Sequence, residues 1–237
     1  MHHVNIRLLG EKFLRSTKES GVVHALVQGF NSLLKSNKID EFDLRYGTDT
    51  SGVIPLWRMH INSANVNCGV RYQAIPVEQF RLAIGTIQEN LSSFYFVDLG
   101  CGKGRNLILA AKMGFAKVVG VEFARELACI AKTNLETLGI DNGVILCDDA
   151  VNFRLEDNDT LIYMYNPFSE AVMQIVADNI VDFIENNPTR KIYIVYHGTV
   201  CRHIFDNISR IERVVPNGIS CDALIWKSRQ PFSSPYS

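Results

Sequence analysis

The sequence predicts an α/β fold: a doubly wound, mainly parallel sheet in a three-layer α/β/α arrangement. Three observations lead there. Between Phe94 and Tyr196 short apolar runs alternate with helical patterns, the order of repeated strand–helix–strand units. The first of those runs gives way at Asp98-Leu99 to Gly100, Gly102 and Gly104, directly before a helical pattern. The last two runs, Ile211 to Val215 and Ala223 to Trp226, have no helical pattern between them and close the sheet as a hairpin.

Composition narrows the class. The chain has 237 residues, enough for one substantial core with an appendage. With 24 Lys and Arg against 25 Asp and Glu, the net charge of −1 gives no global field to attract nucleic acid, which disfavours that partner. The six cysteines are scattered with no Cys-x-x-Cys pair, so reduced thiols and no metal site are expected. No signal peptide, transit peptide or long apolar span is visible, which by default implies no membrane association and a cytoplasmic location.

Taken in order, Val4 to Ser36 has a helical pattern interrupted by Gly21 and Gly29, and reads as two short helices covering one side of the core or a substrate mouth. Glu41 to Gly52 is polar and rich in turn formers around Phe42 and Tyr46, and reads as a functional or mobile loop. Val53 to Ile61 reads as a strand or short helix, and the three asparagines of Asn62 to Cys68 as turns. Pro76 fits the first turn of a helix from Val77 to Ile87 with Phe80, Ile84 and Ile87 on one face.

Seven strands follow. Phe94 to Leu99 leads into the glycines and a helix from Asn106 to Met113; Lys117 to Val121 ends in Glu122 and precedes a helix from Phe123 to Leu138. Val144 to Cys147 ends in Asp148-Asp149-Ala150, and Thr160 to Tyr165 ends in Asn166-Pro167-Phe168. A helix from Ala171 to Asn186, a strand from Lys191 to Tyr196 with His197 in the loop after it, a short helix from Val200 to Asn207 and the hairpin complete the core. Ser228 to Ser237 is a loose tail.

The glycines let the main chain turn sharply and let a ligand lie directly on it, with free N–H groups at the helix start facing that ligand. An acid at the tip of the next strand, Glu122, can accept two hydrogen bonds from a ribose diol. The spacing is Gly-x-Gly-x-Gly behind Asp98, not the Gly-x-Gly-x-x-Gly of dinucleotide folds, and no P-loop stretch is present. Asn166-Pro167-Phe168 stands just past the switch point of the sheet, where doubly wound folds place ligands. Cys101 is a small residue chosen to fit the loop, and His197, although able to take a proton, is read as structural.

Asp98-x-Gly100-x-Gly102-x-Gly104 with Glu122 downstream resembles motif I and the following acidic position of class I S-adenosylmethionine (SAM) methyltransferases. The stretches F-D-L-R-Y-G-T-D-T-S-G, F-V-D-L-G-C-G-K-G-R, V-V-G-V-E-F and Y-N-P-F together resemble a bacterial group within that class. The resemblance implies a seven-strand sheet with an antiparallel last strand. It also implies SAM as cofactor and S-adenosylhomocysteine (SAH) as product. Cofactor contacts are implied for Asp98, Gly100, Cys101, Gly102, Gly104, Glu122 and Phe123, with Asp149 and Ala150 beside the adenine. Tyr72 lies in a segment that lids SAM in relatives.

Y-N-P-F resembles motif IV of amino-group methyltransferases shortened by one proline, which implies acceptor contacts from Asn166, Pro167 and Phe168, with Asn166 also bordering the cofactor. The expected function is methyl transfer to an unidentified acceptor, foremost an amine nitrogen of a protein side chain. Methylation of a small metabolite at N or O, and SAM binding without turnover, are the alternatives. The expected organisation is an N-terminal helical and loop extension over residues 1–70 covering the active site, a SAM-binding core over 71–228 and a tail over 229–237.

Overall fold

The computed structural model describes residues 40–54, 72–165, 168–215 and 222–230. The expected helices within Val4 to Ser36 and turns within Asn62 to Cys68, together with Asn166, Pro167 and residues 231–237, lie outside the described residues.

A small antiparallel pair, β1 (Val53–Ile54) and β2 (Tyr72–Gln73), stands apart from the main sheet. The main sheet contains β3 (Tyr95–Leu99), β4 (Lys117–Val121), β5 (Gly143–Leu146), β6 (Thr160–Tyr165), β7 (Ile192–His197), β8 (Ile211–Val214) and β9 (Leu224–Ser228). Its seven strands run in the order β5-β4-β3-β6-β7-β9-β8. All neighbours are parallel except at β9, which is antiparallel to both β7 and β8. The doubly wound sheet with an antiparallel last strand is therefore present as expected, and β3, flanked by β4 and β6, forms the switch point.

The helices are α1 (Glu41–Tyr46), α2 (Val77–Gly85), α3 (Arg105–Lys112), α4 (Arg125–Thr137), α5 (Glu170–Asn186) and α6 (Arg202–Asp206). Alternation along each central strand divides the core in two. On one face Phe96 and Tyr163 meet Phe80 of α2 and Phe115, with ring centroids 5.2 to 5.8 Å apart. On the other, Ile162 and Met164 meet Val176 and Ile180 of α5, and Trp226 meets Phe205 of α6. Each fully buried side chain of this size contributes about 1.5–3 kcal/mol, and because both faces of β6 are covered, its sequence Thr-Leu-Ile-Tyr-Met-Tyr reads as a continuous apolar run.

The described part of Glu41 to Gly52 departs from the loop expected there. Asp40 caps α1 through its side chain, which accepts from the Asp43 N–H at 3.1 Å, and Gly47 ends the helix at φ 66°. A six-residue helix is too short to show a hydrophobic period, which is why composition alone read as loop. Boundaries also shift: His197 belongs to β7 rather than to the loop after it, α5 begins at Glu170 with Ser169 as its N-cap, and Ser228, expected in the loose tail, is the buried last residue of β9, where its hydroxyl accepts from Ile192 N.

Candidate functional site

The site is built at the C-terminal ends of β3, β4 and β6. Parallel pairing sets Asp98 beside Gly120 of β4 and Tyr163 of β6, so the glycine loop leaves β3 at the switch point. Gly100, Gly102 and Gly104 all have positive φ (85°, 56° and 83°), a conformation that side-chain-bearing residues rarely adopt. Gly102 is also the point of closest approach. A Cβ there would lie 2.2 Å from Cε2 of Tyr72, whose ring rests on the loop with its hydroxyl bonded to the Thr50 carbonyl.

Four N–H groups of the loop ahead of the helix start are turned into the fold. Gly100 and Cys101 both donate to the Val121 carbonyl, at 2.8 and 3.1 Å. Gly102 donates to Glu122 Oε2 at 2.9 Å, and Gly104 to the Cys101 carbonyl at 2.9 Å. With those donors turned inward the loop is no anion cradle of the phosphate-binding kind. Gly100 is exposed, Gly102 lies beneath the Tyr72 ring, and two acids stand behind the loop.

Those acids are Asp98 and Glu122, both buried. Asp98 Oδ2 accepts from Asn106 Nδ2 at 3.0 Å, while Oδ1 has no hydrogen-bond partner among the described residues. Burial pushes the Asp98 carboxyl up to about 7; the Asn106 bond pulls down and the Glu122 charge pushes further up. Glu122 Oε1 accepts from the Ala124 N–H at 2.9 Å, so its two oxygens brace the loop and the start of α4. Burial raises Glu122 to about 7 against the pull of backbone bonds from Ala124, Gly102 and Phe123. Two buried carboxylates without a countercharge form a site whose complement is a cation.

A stability consequence follows with a definite sign. For a carboxyl raised from 3.8 to about 7 by folding, stability is fully present below the unfolded value and is lost as pH rises through the folded one. The isosteric Asp98→Asn protein therefore gains in melting temperature on the wild type progressively between pH 5 and pH 8. A difference that stays constant over that range would contradict the burial argument.

The Cys101 side chain turns toward β4. A Cβ on Gly120 would sit 2.7 Å from its Sγ, so the pair fills one space between loop and β4, and burial holds the thiol well above its usual range. Asp148 closes the turn after β5 by accepting from the Asp149 N–H and Asn152 Nδ2 at 2.7 and 2.9 Å. Asp149 Oδ1 accepts from the Val151 N–H at 3.2 Å, capping a short 3₁₀ turn that begins at the buried Ala150. Phe123 is half-buried at the tip of β4. Phe168 packs against the α5 side of the core, and Asn166 and Pro167 lie outside the described residues.

One part of the site was not expected from sequence. Residues 40–51 are fastened onto the glycine loop and α3. Asp43, 3% exposed, accepts from Thr48 Oγ1 (2.8 Å), Thr50 N (2.8 Å), Thr50 Oγ1 (2.7 Å) and Ser51 N (2.7 Å). Burial alone would raise its carboxyl, but the bonds from Thr50, Ser51 and Thr48 outweigh that and hold it below the ordinary value. Arg105 donates to Thr50 Oγ1 at 2.8 Å and pairs with Asp40, and Lys103 Nζ reaches Asp49 Oδ1 (2.6 Å) and the Ser51 carbonyl (2.9 Å). Asn134 of α4 bonds both main-chain groups of Asp49 and the Lys103 carbonyl, each at 2.9 Å. The signal available in the sequence was Lys103 and Arg105 inside the glycine run, two cations that burial would oblige to find acids.

Residues 96–184 match the family model described as a methyltransferase domain. No curated protein matches the chain. Among solved structures, an RNA methyltransferase from Salinibacter ruber in complex with S-adenosyl-L-homocysteine is 15% identical, with 69% of this chain and 97% of that one covered and a TM-score of 0.47. A predicted N6-adenine-specific DNA methylase from Listeria monocytogenes is 14% identical over 66% of this chain and 52% of its own, with a TM-score of 0.48. Phosphoethanolamine N-methyltransferase 1 from Haemonchus contortus is 17% identical over 52% of this chain and 26% of its own, with a TM-score of 0.41. These proteins differ in acceptor and assign none to this chain. The expectation that nucleic acid is not a partner finds no support among them. Among the described residues no helix is long and apolar enough to cross a membrane.

Proposed function

We propose that this chain, whose residues 96–184 match a methyltransferase domain, is a cytoplasmic SAM-dependent enzyme that transfers the methyl group to an amine nitrogen of a protein side chain. The observation that carries the acceptor end is the position of β6. It pairs with β3 in a register that sets Tyr163 beside Asp98, and it runs directly into Asn166-Pro167-Phe168. The N-cap position of α5 is Ser169, whose carbonyl accepts from Met173 N at 3.0 Å although its side chain makes no capping bond, so the cap position does not fall on Asn166.

In this reading SAM supplies a methyl group activated on a sulfonium. Asp98, with its unpartnered Oδ1, meets the ligand's ammonium group. Gly100, Cys101, Gly102 and Gly104 present bare main chain beneath the methionine portion, and Tyr72 covers it. Glu122 and Phe123 border the ribose, and Asp149 and Ala150 the adenine. The segment over 40–54 belongs to an extension, 1–70, that closes the active site, and residues 71–228 form the core. Asn166 and Pro167 hold the acceptor nitrogen by hydrogen bonds, and Phe168 sets the turn from the core side. Holding a neutral nitrogen in line with the methyl and excluding water are what the protein contributes.

Asn166→Ala tests the assignment. SAM affinity measured by calorimetry stays near the wild-type value. Transfer of labelled methyl to the protein fraction of a cell extract falls about a hundredfold, or roughly 2.7 kcal/mol of lost positioning. Full transfer by this variant would refute the role of Asn166, and label found only in the metabolite fraction would replace the acceptor class.

A further inference from the structure

We propose that His197 binds the acceptor, its Nε2 receiving a hydrogen bond from the acceptor's N–H and so aiming the nitrogen lone pair at the methyl group. This rests on the methyl-transfer reading above.

His197 is the last residue of β7 and is 5% exposed, yet its Nε2 has no hydrogen-bond partner among the described residues. Buried polar atoms are ordinarily paired, and an imidazole kept only for packing would be expected to have both nitrogens satisfied. Its position gives the lone atom a direction. Tyr165 of β6 pairs with His197, and Tyr163 pairs with Val195 two residues earlier and with Asp98 on the other side. Side chains alternate along a strand, so Asp98, Tyr163, Tyr165 and His197 share one face of the sheet. His197 and Tyr165 lie two residues closer to the C-terminal edge than Asp98. At about 4.8 Å between strands, His197 stands roughly 10 Å across the sheet from the strand that carries the glycine loop. That is the β6 side of the switch point.

The surroundings suit a neutral hydrogen-bond acceptor. The rings of Tyr163 and Tyr165 lie 5.4 and 5.7 Å from the imidazole. Burial lowers the His197 pKa to about 4, against an upward pull from Asp222, so the ring is neutral at neutral pH, and in the tautomer that keeps its proton on Nδ1 the free Nε2 is an acceptor. Asp222 is itself tied to Gln79 of α2 at 3.5 Å. An uncharged imidazole does not repel an amine and accepts one N–H, which fixes the remaining geometry of the nitrogen. In the transfer the bond from nitrogen to methyl carbon forms as the carbon–sulfur bond breaks. The electron pair goes to sulfur, and the product leaves as an ammonium that keeps its hydrogens. No proton needs to end on His197.

The test uses the full chain, methyl-tritiated SAM and the protein fraction of a cell extract as acceptor source. His197→Ala loses about a hundredfold in transfer rate, while SAM affinity by calorimetry is unchanged. His197→Gln, whose amide oxygen can accept the same hydrogen bond, recovers at least about tenfold of that loss. Melting temperatures of both variants separate folding from binding, because a packing role makes activity follow stability and gives no selective recovery with Gln. Wild-type transfer rates in His197→Ala would overturn the proposal alone. Absence of transfer by the wild-type protein, with SAM bound, would overturn the methyl-transfer reading and this proposal with it.

Discussion

Replacing Gly102 by Val removes SAM binding, lowering affinity by at least about a hundredfold as read by calorimetry. Two independent penalties combine at this position. The φ of 56° is one that a β-branched residue tolerates only with strain of order 1–3 kcal/mol. The added Cβ also falls 2.2 and 2.3 Å from two carbons of the Tyr72 ring, so the ring or the loop must move. Moving the loop would break the bond from Gly102 N to Glu122 and release the acid at the tip of β4. The added methyls would then occupy the bare surface on which the ligand lies. Wild-type affinity in a folded Gly102→Val protein would mean that SAM does not lie on this loop.

Asp43→Ala has the largest expected effect on stability, a loss of about 3–5 kcal/mol in chemical denaturation. Asp43 does not stand on the ligand's path, but four donors within 2.8 Å converge on its carboxylate and Arg105 Nη2 lies 3.8 Å away. Truncation strands the Thr48 and Thr50 hydroxyls and the main-chain N–H groups of Thr50 and Ser51, and it leaves Asp40 as the remaining carboxylate beside a guanidinium that is 6% exposed. Because Arg105 opens α3 directly after Gly104, SAM affinity falls together with stability. Asp43→Asn, which keeps an acceptor oxygen, is expected to lie between the two. A loss below about 1 kcal/mol in the alanine variant would show that residues 40–51 are not fastened by this carboxylate.

The contrast between the glycine loop and the Asp43 cluster shows what was legible in the sequence. The loop could be read because each residue there has a local meaning: an apolar strand, an acid, glycines at alternate positions, a helix start. The seven strands could be read for the same reason, since continuous apolar runs and the hairpin pattern are local signals. Asp43 could not, because its role depends on groups brought together from afar: Arg105 is 55 residues from Thr50 and 65 from Asp40. The direction of the loop's N–H groups was likewise hidden. It is set by the pairing of Leu99 with Val121, which delivers the Val121 carbonyl to Gly100 and Cys101, and no spacing rule encodes that register. His197 was assigned to a loop because the strand was ended one residue early at Tyr196. Its burial and pairing with Tyr165 emerge only from the sheet.

Calorimetric titration of the full chain with SAM, SAH and NADP, under one set of conditions, tests the central claim most directly. Glu122 at the tip of β4 repels a 2′-phosphate, and the loop's inward-turned N–H groups leave nothing to hold a pyrophosphate. SAM and SAH are expected to bind, with no detectable heat from NADP, because the acid at the tip of β4 opposes a 2′-phosphate. Tighter binding of NADP than of SAM would contradict the account.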